Sequence, residues 1–344
     1  MKKGLIIGLA AVLTAVSCYH EEFVTIVDEE PVLVLNAQMT TMEEDHYVSL
    51  HKGYKGKTEP VPDALVNVYV NGVLRAAIPR SVDGQGRYLF AATFSAGDEV
   101  RVTAEKDGRT VSATTVVPPD PPAFTLDTVR VRYVAWGDAT DYVQLKVGFR
   151  DLPGDSWYRM SVRVEESYRY FDNGEPMPDM DSERNYSEAT LQTGSDPILG
   201  EGAMPAGEND LAAFLSPSNA FCSFSDIAFA DRECLLRPMM DTWYFEDLIG
   251  FWGEGDEDRM TATEQITRRL TFCLYSIGFA QYHYLKALDN LETFGYDANF
   301  LVEPTTLPSN VEGGLGFVTV DNGREMLLSE QVYEFRFDPN MYGM

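Results

Sequence analysis

Residues 64–77, ALVNVYVNGVLRAA, decide the fold of the N-terminal part of the chain. Two β-rich runs flank Asn71-Gly72, a dipeptide that strongly favours a two-residue hairpin turn. Residues 98–117, DEVRVTAEKDGRTVSATTVV, repeat this pattern around Asp107-Gly108. Together with VLVLNA, YVSLH and RYLFAATF, these runs predict about seven short strands in an antiparallel β-sandwich.

A proline-rich segment, VPPDPP at 117–122, ends this unit, because clustered prolines cannot pair in a sheet. The chain beyond it alternates apolar and polar residues in long runs, which predicts an antiparallel β-rich domain of sandwich or barrel type. A polar insertion is expected at 171–219. Near 279–293, Tyr284, Leu285 and Leu288 follow helical spacing and predict one α-helix.

The predicted fold class is therefore mainly β, with an Ig-like or transthyretin-like sandwich followed by a larger β-rich domain that carries one helix. The predicted units are a signal peptide at 1–17, a lipidated tether at 18–30, a sandwich at 31–117, a linker at 118–122 and the larger domain at 123–344.

The first residues have the composition of a secretion signal. Lys2 and Lys3 precede an apolar run from Leu5 to Val16, which is too short to span a bilayer. Small residues then lead to Cys18, in a pattern that resembles a bacterial lipobox. Acyl chains on Cys18 would hold the protein on a membrane. The alternative is an ordinary signal peptide that happens to contain a cysteine.

The charge balance excludes one class of partner. The chain has 27 Lys and Arg against 54 Asp and Glu, a net charge of -27. Such a chain repels phosphate backbones, so we expect no binding to nucleic acid. Anionic lipid surfaces would repel it as well, and membrane attachment must therefore depend on the lipid at Cys18.

Cysteine and histidine spacings give no catalytic or metal-binding motif. Cys222 and Cys234 are the closest pair and could form a disulfide, which would leave Cys273 unpaired. Zinc-site spacings, H-E-x-x-H and G-x-S-x-G are not found in the sequence. We expect no cofactor, and GGLGF at 313–317 is interpreted as a turn that feeds a strand.

An aromatic segment is the candidate binding site. It contains Trp243, Tyr244, Phe245, Phe251 and Trp252, beside several carboxylates. Aromatic faces next to acids suit a sugar, and aromatic residues are also enriched at protein interfaces. The third interpretation is a core strand followed by a turn.

The acidic run that follows this segment is a weak calcium candidate. It includes Glu254, Asp256 and Asp258, which are hard oxygen ligands, but it lacks the EF-hand pattern. The default interpretation is a solvated loop, and we expect no bound metal.

Two groups of motifs resemble known families. The hairpin pair and GRYLF resemble transthyretin-like and carboxypeptidase-regulatory-like modules. FSDIAFADRECLLR at 224–237, the helix text from Tyr282, and SNVEGGLGF at 309–317 resemble the Bacteroidetes lipoproteins known as domain-of-unknown-function family 4249.

The second resemblance implies an outer-membrane lipoprotein that assists a TonB-dependent transporter, either by contacting it or by capturing ligand for it. It also implies that Glu21 and Glu22, acids shortly after the lipidated cysteine, signal export to the cell surface. The first alternative is a stand-alone lipoprotein that binds carbohydrate or peptide. The second alternative, ranked third, is a hydrolase, but no pair of carboxylates stands out in the sequence as its catalytic pair.

The anchor can be tested directly. Cys18→Ala should move the protein from the membrane fraction to the soluble fraction, because no other segment of the sequence is predicted to hold it on a bilayer. Fractionation with immunoblotting measures this. Retention of the variant on membranes would contradict the lipid anchor.

Overall fold

The computed structural model describes residues 31–54, 57–135, 138–178, 181–200, 219–246, 262–294 and 307–337. In these ranges the chain is mainly β-structure with one α-helix, α1 (Phe279–Phe294), which confirms the predicted fold class and helix. The strands are β1 (Val32–Thr40), β2 (Asp45–Tyr54), β3 (Lys57–Pro60), β4 (Leu65–Val70), β5 (Val73–Ile78), β6 (Arg87–Ala91), β7 (Glu99–Lys106), β8 (Arg109–Val116), β9 (Phe124–Ala135), β10 (Asp138–Arg150), β11 (Trp157–Asp172), β12 (Glu175–Pro176), β13 (Ser182–Glu188), β14 (Ser223–Ser225), β15 (Glu233–Leu236), β16 (Met239–Asp241), β17 (Ala262–Ile277), β18 (Val311–Glu312) and β19 (Val318–Phe337).

The first eight strands contribute most of one hydrophobic core. Strand β1 pairs with β2, which also pairs with β3 and β6, while β8, β7, β4 and β5 form a second sheet in that order. Inward residues such as Leu50, Val68 and Val102 are completely buried. Both predicted hairpin turns are present, since Asn71 and Asp107 have φ of 51° and the glycines after them 75°. Positive φ at both turn positions matches the twist of the flanking strands.

A second core lies between β10, β15 and β16 on one side and the long strands β11 and β17 on the other. Alternation along β17 places Leu270, Phe272 and Leu274 in this core, as the sequence predicts. Helix α1 packs on the opposite face of the long strands, where Leu285, Cys273 and Ile277 belong to a third hydrophobic cluster. None of the described helices has the length and apolar character that crossing a membrane requires.

Strand β19 belongs to both parts of the molecule. Its first residues pair in parallel with β1, from Ala37↔Val318 to Thr40↔Asp321, and the rest pairs antiparallel with β17. Val318 and Val320 are therefore buried in the first core, which residues 31–117 alone do not complete. The sequence-based division at 118–122 does not anticipate this return of the chain.

Two segments predicted to be polar or stiff contribute to the packing. In the proline-rich linker, Pro118 is buried and its carbonyl accepts a hydrogen bond from Asn322 Nδ2 at 2.9 Å. Within the predicted insertion at 171–219, β13 pairs with β11, and Leu191 and Leu199 enter the second core. These isolated leucines carry no periodicity, so the sequence pattern alone cannot place them.

The GGLGF segment runs beside β1 and feeds β19, as interpreted from the sequence. Leu315 N donates to Leu33 O at 2.9 Å, and Leu35 N donates to Leu315 O at 2.8 Å. Gly316 has φ of 121°, and a Cβ there would lie 2.1 Å from Leu35 O. Only glycine fits this close approach.

Gly316→Ala should therefore lower the free energy of unfolding by about 3–5 kcal/mol, because the methyl group clashes with the backbone of β1. Gly97→Ala is the matched control. Gly97 also has positive φ, 84°, but an added Cβ meets nothing within 4 Å, so backbone strain alone should cost about 1–2 kcal/mol. Urea denaturation measures both values, and equal costs would refute the steric explanation.

Candidate functional site

A cleft of about 680 Å³ lies between the first sandwich and α1. Small-molecule sites typically have volumes of about 300–1,000 Å³. Polar side chains from β1 and β2 form one wall, α1 forms the other, and β11, β13 and β19 supply the floor. The lining residues include Asn36, Gln38, Ser49, His51, Arg87, Arg159, Glu188, Gln281, Tyr284, Phe317 and Thr319.

An aromatic pair forms the apolar part of the cleft. The rings of Tyr284 and Phe317 stack with their centroids 4.3 Å apart and their planes 11° apart. Phe317 is 6% exposed and lies beneath the half-buried Tyr284. The backbone of Phe317 is fixed as well, because its N–H donates to Asn36 Oδ1 at 2.9 Å. Tyr284 is therefore held in one orientation at the cleft surface.

The segment that ends in GGLGF positions this pair. Asn310 Oδ1 accepts from Val318 N at 2.9 Å, and Asn310 Nδ2 donates to Val318 O at 2.7 Å. These two bonds close the turn, and the glycines allow the backbone to approach β1. The turn thus brings Phe317 under Tyr284.

A buried ionic network forms the polar floor. Arg159 Nη2 donates to both oxygens of Glu188, at 2.9 and 2.7 Å, and the Arg159 side chain is only 10% exposed. Arg159 Nη1 lies 3.9 Å from Asp321 Oδ2. Its guanidinium also lies 5.3 Å from the centre of the Tyr275 ring. Such a cation is held in a low-dielectric site by its two carboxylates.

Two amide side chains complete the network around Asp321. Gln281 Nε2 donates to Asp321 Oδ1 at 2.5 Å, and Gln38 Nε2 donates to Asp321 Oδ2 at 3.3 Å. Thr319 Oγ1 donates to Gln281 Oε1 at 2.7 Å. The network therefore ties α1 to β1, β11 and β19.

Burial and neighbouring charges shift two pKa values in this network. Burial raises the pKa of Asp321, and the opposing effects of Arg159 and the two amides do not cancel it. Burial on its own would lower the pKa of Arg159, but Glu188 and Asp321 raise it overall. Arg159 therefore remains charged, while ionised Asp321 is costly to the fold.

The described part of the predicted aromatic segment, Trp243, Tyr244 and Phe245, does not line this cleft. Tyr244 is buried in the second core, and its hydroxyl accepts from Thr190 N at 3.3 Å. Phe245 packs against the same core. Trp243 is 49% exposed, stacks on Tyr244 at 3.9 Å between centroids, and has the Arg268 guanidinium 5.5 Å from its ring. Only Trp243 of these three presents a large aromatic surface to solvent.

The other predicted site residues are not among those that the structure describes. They are Cys18, Glu21, Glu22, Phe251, Trp252, Glu254, Asp256 and Asp258. Within the described ranges, no group of three or more His, Cys, Asp or Glu side chains could hold a metal ion.

The cysteines that the structure describes are free thiols. Cys222, Cys234 and Cys273 are all buried. Burial raises the pKa of the Cys222 and Cys234 thiols to about 12 and that of Cys273 to about 11. Protonated, inaccessible thiols are poor nucleophiles.

The sequence pattern does not reveal the cleft. It places Tyr284 in a helix and Phe317 in a turn, and no local signal joins them. Arg159 and Asp321 do carry a signal, since each is a charged residue within a mostly apolar run, WYRMSV and FVTVDN. Charges at such positions need a buried partner.

The fold and cleft define a two-core β-protein with a pre-formed concave site. The model of DUF4249, described as a domain of unknown function, matches residues 20–325. The chain therefore belongs to this family, as its motifs predict.

Other comparisons add little. No curated protein matches the chain. Among solved structures, it is similar to beta-glucuronidase 3 of Bacteroides uniformis, with 9% identity and a TM-score of 0.21 over 70% of this chain and 23% of that one. It is also similar to a putative membrane anchored protein from Corynebacterium diphtheriae, with 11% identity and a TM-score of 0.19 over 84% and 58% of the two chains. Similarities this slight support no inference about activity.

The raised pKa of Asp321 predicts a pH-dependent contribution to stability. The native carboxyl binds its proton more tightly than the unfolded one, whose pKa is near the ordinary aspartate value of 3.8. Its contribution is therefore fully present below that pH and decreases as pH rises through the higher native pKa. Compared with Asp321→Asn, the wild-type protein should lose stability over this interval. Chemical denaturation at a series of pH values measures the free energy of unfolding of both proteins. If the wild-type value minus the variant value stays constant or increases as pH rises, burial is not the dominant cause of the pKa shift.

Proposed function

We propose that this chain is a non-enzymatic lipoprotein on the outer face of the outer membrane, which captures a small ligand for a TonB-dependent transporter. The cleft between β1 and α1 is the observation that carries the ligand-capturing part. Its size, its fixed aromatic ring and its few convergent polar groups are typical of a binding site. The lipobox-like sequence at Cys18 and the acids Glu21 and Glu22 support the location.

The construction of the cleft supports binding rather than a purely structural role. The SNVEGGLGF segment uses close backbone contacts to bring Phe317 under Tyr284. An ordinary strand without these glycines could complete the first sandwich. The observed turn also creates a rigid aromatic surface in the cleft. Binding sites are favoured when side chains are fixed before the ligand arrives.

Co-purification tests the accessory role. Tagged full-length protein, extracted from membranes in mild detergent, should elute with a large β-barrel of the TonB-dependent class. Tyr284→Ala is the control, because the ring faces the cleft and its loss should leave the barrel contact intact. Elution of the wild-type protein as a monomer that still binds ligand would instead favour the stand-alone binding lipoprotein.

A hydrolase is the second candidate, because Ser49 and His51 line the cleft with Ser49 Oγ 3.0 Å from His51 Nδ1. Catalysis by such a pair generally needs a third group that orients the base. In the described residues no carboxylate is hydrogen-bonded to His51. We therefore expect no labelling of Ser49 by a fluorophosphonate probe, and labelling that is lost in Ser49→Ala would favour the hydrolase.

A further inference from the structure

We propose that the cleft binds a short, uncharged saccharide, with Tyr284 as the stacking surface and Glu188 as the main hydrogen-bond acceptor. This inference rests on the proposed ligand-capturing function and names the class of ligand. It places the carbohydrate site between β1 and α1, and not at the aromatic residues Trp243, Tyr244 and Phe245.

Glu188 provides a fixed acceptor at the cleft surface. Its side chain is 53% exposed, although both carboxylate oxygens accept from Arg159. A carboxylate oxygen has more than one lone pair, so the exposed side can still accept hydrogen bonds. The bidentate pairing holds the carboxylate in one orientation. Ligands that donate O–H or N–H groups match this acceptor.

Tyr284 provides an apolar surface in the same cleft. Phe317 supports one face of its ring, and burial raises the pKa of the Tyr284 hydroxyl, so the phenol stays neutral. Aromatic faces carry partial negative charge and attract the polarised C–H groups of a sugar ring. A flat ligand with C–H groups on its faces and hydroxyls at its edges satisfies both Tyr284 and Glu188.

The charges in the cleft favour an uncharged ligand. Arg159 is paired with Glu188 and Asp321, and Arg87 Nε lies 2.5 Å from Asp83 Oδ2. Nearby carboxylates already offset the charge of each arginine, so an anionic ligand would gain little net attraction here. A cationic ligand would meet a Glu188 that is already neutralised by Arg159. A ligand with neutral hydroxyl groups does not depend on attraction to either charge.

The pairing of the strands disfavours an extended peptide. Peptides that add to a sheet use the free backbone groups of an edge strand. In this wall, β1 pairs with β2 and β19, and β2 pairs with β1, β3 and β6. Sheet pairing thus engages the backbone of β1 and β2 over much of this wall, which favours recognition through side chains such as Asn36, Ser49 and His51. A saccharide, whose donors and acceptors surround a ring, suits this arrangement.

An array that carries neutral oligosaccharides, uronate-containing oligosaccharides and tripeptides tests the proposal with the full-length protein in detergent. We expect binding to neutral glycans, and titration calorimetry with the strongest of them supplies the affinity. Tyr284→Ala should weaken binding about tenfold, and Tyr284→Phe should keep it within about twofold, because the stacking ring remains. Glu188→Gln should weaken binding about tenfold, through loss of a charged acceptor.

Trp243→Ala is the matched control, because it removes the exposed ring of the other candidate platform and should leave the affinity unchanged. Thermal melting of each variant separates lost binding from lost folding. Loss of binding in Trp243→Ala but not in Tyr284→Ala would overturn the cleft as the site.

The remaining outcomes separate the ligand class from the proposed function. Cleft-dependent binding of uronates or tripeptides would overturn the saccharide and leave ligand capture standing. Binding of no probe, in a protein that still co-purifies with a transporter, would overturn the saccharide while the accessory role stands. Binding of no probe and no co-purification would overturn both.

Discussion

The structure depends on one strand that is shared by two cores. Strand β19 begins beside β1, with Val318 and Val320 buried in the first core, and continues beside β17. At the transition, Asn322 accepts from Thr41 Oγ1 at 2.9 Å and donates to Asp120 Oδ1 at 3.0 Å. The two parts of the chain are therefore held at a fixed angle by strand pairing and side-chain bonds together. The cleft exists because this junction fixes α1 beside the first sandwich.

The ionic network at the junction favours one arrangement more than it adds stability. A buried ion pair must recover the cost of removing both charges from water, and apolar replacements are often as stable. Arg159 nevertheless links three separate elements through Glu188, Asp321 and the ring of Tyr275. Helix α1 joins this network through Gln281, whose amide donates to Asp321 and accepts from Thr319. Packing α1 elsewhere would take these two hydrogen bonds from buried groups, so the network favours the geometry in which Gln281 and Tyr284 line the cleft.

Much of the fold follows from local sequence patterns, whereas the cleft does not. The turns at Asn71-Gly72 and Asp107-Gly108, the alternation of β17 and the spacing of α1 are local signals, and the structure confirms them. The pairing of β19 with β1 joins residues about 280 positions apart, and no local pattern specifies it. The candidate site depends on that pairing, because Phe317 reaches Tyr284 only after the chain returns to β1. Aromatic density along the sequence pointed to Trp243 instead, which lies elsewhere.

We expect a ligand in the cleft to contact α1 and the GGLGF turn together. Hydrogen–deuterium exchange of the full-length protein, with and without a saturating amount of its strongest neutral glycan, measures protection at both segments. Exchange should become slower in peptides that cover 279–289 and 311–321, with 239–246 unchanged. Slower exchange confined to 239–246, or no change in either cleft segment, would contradict it.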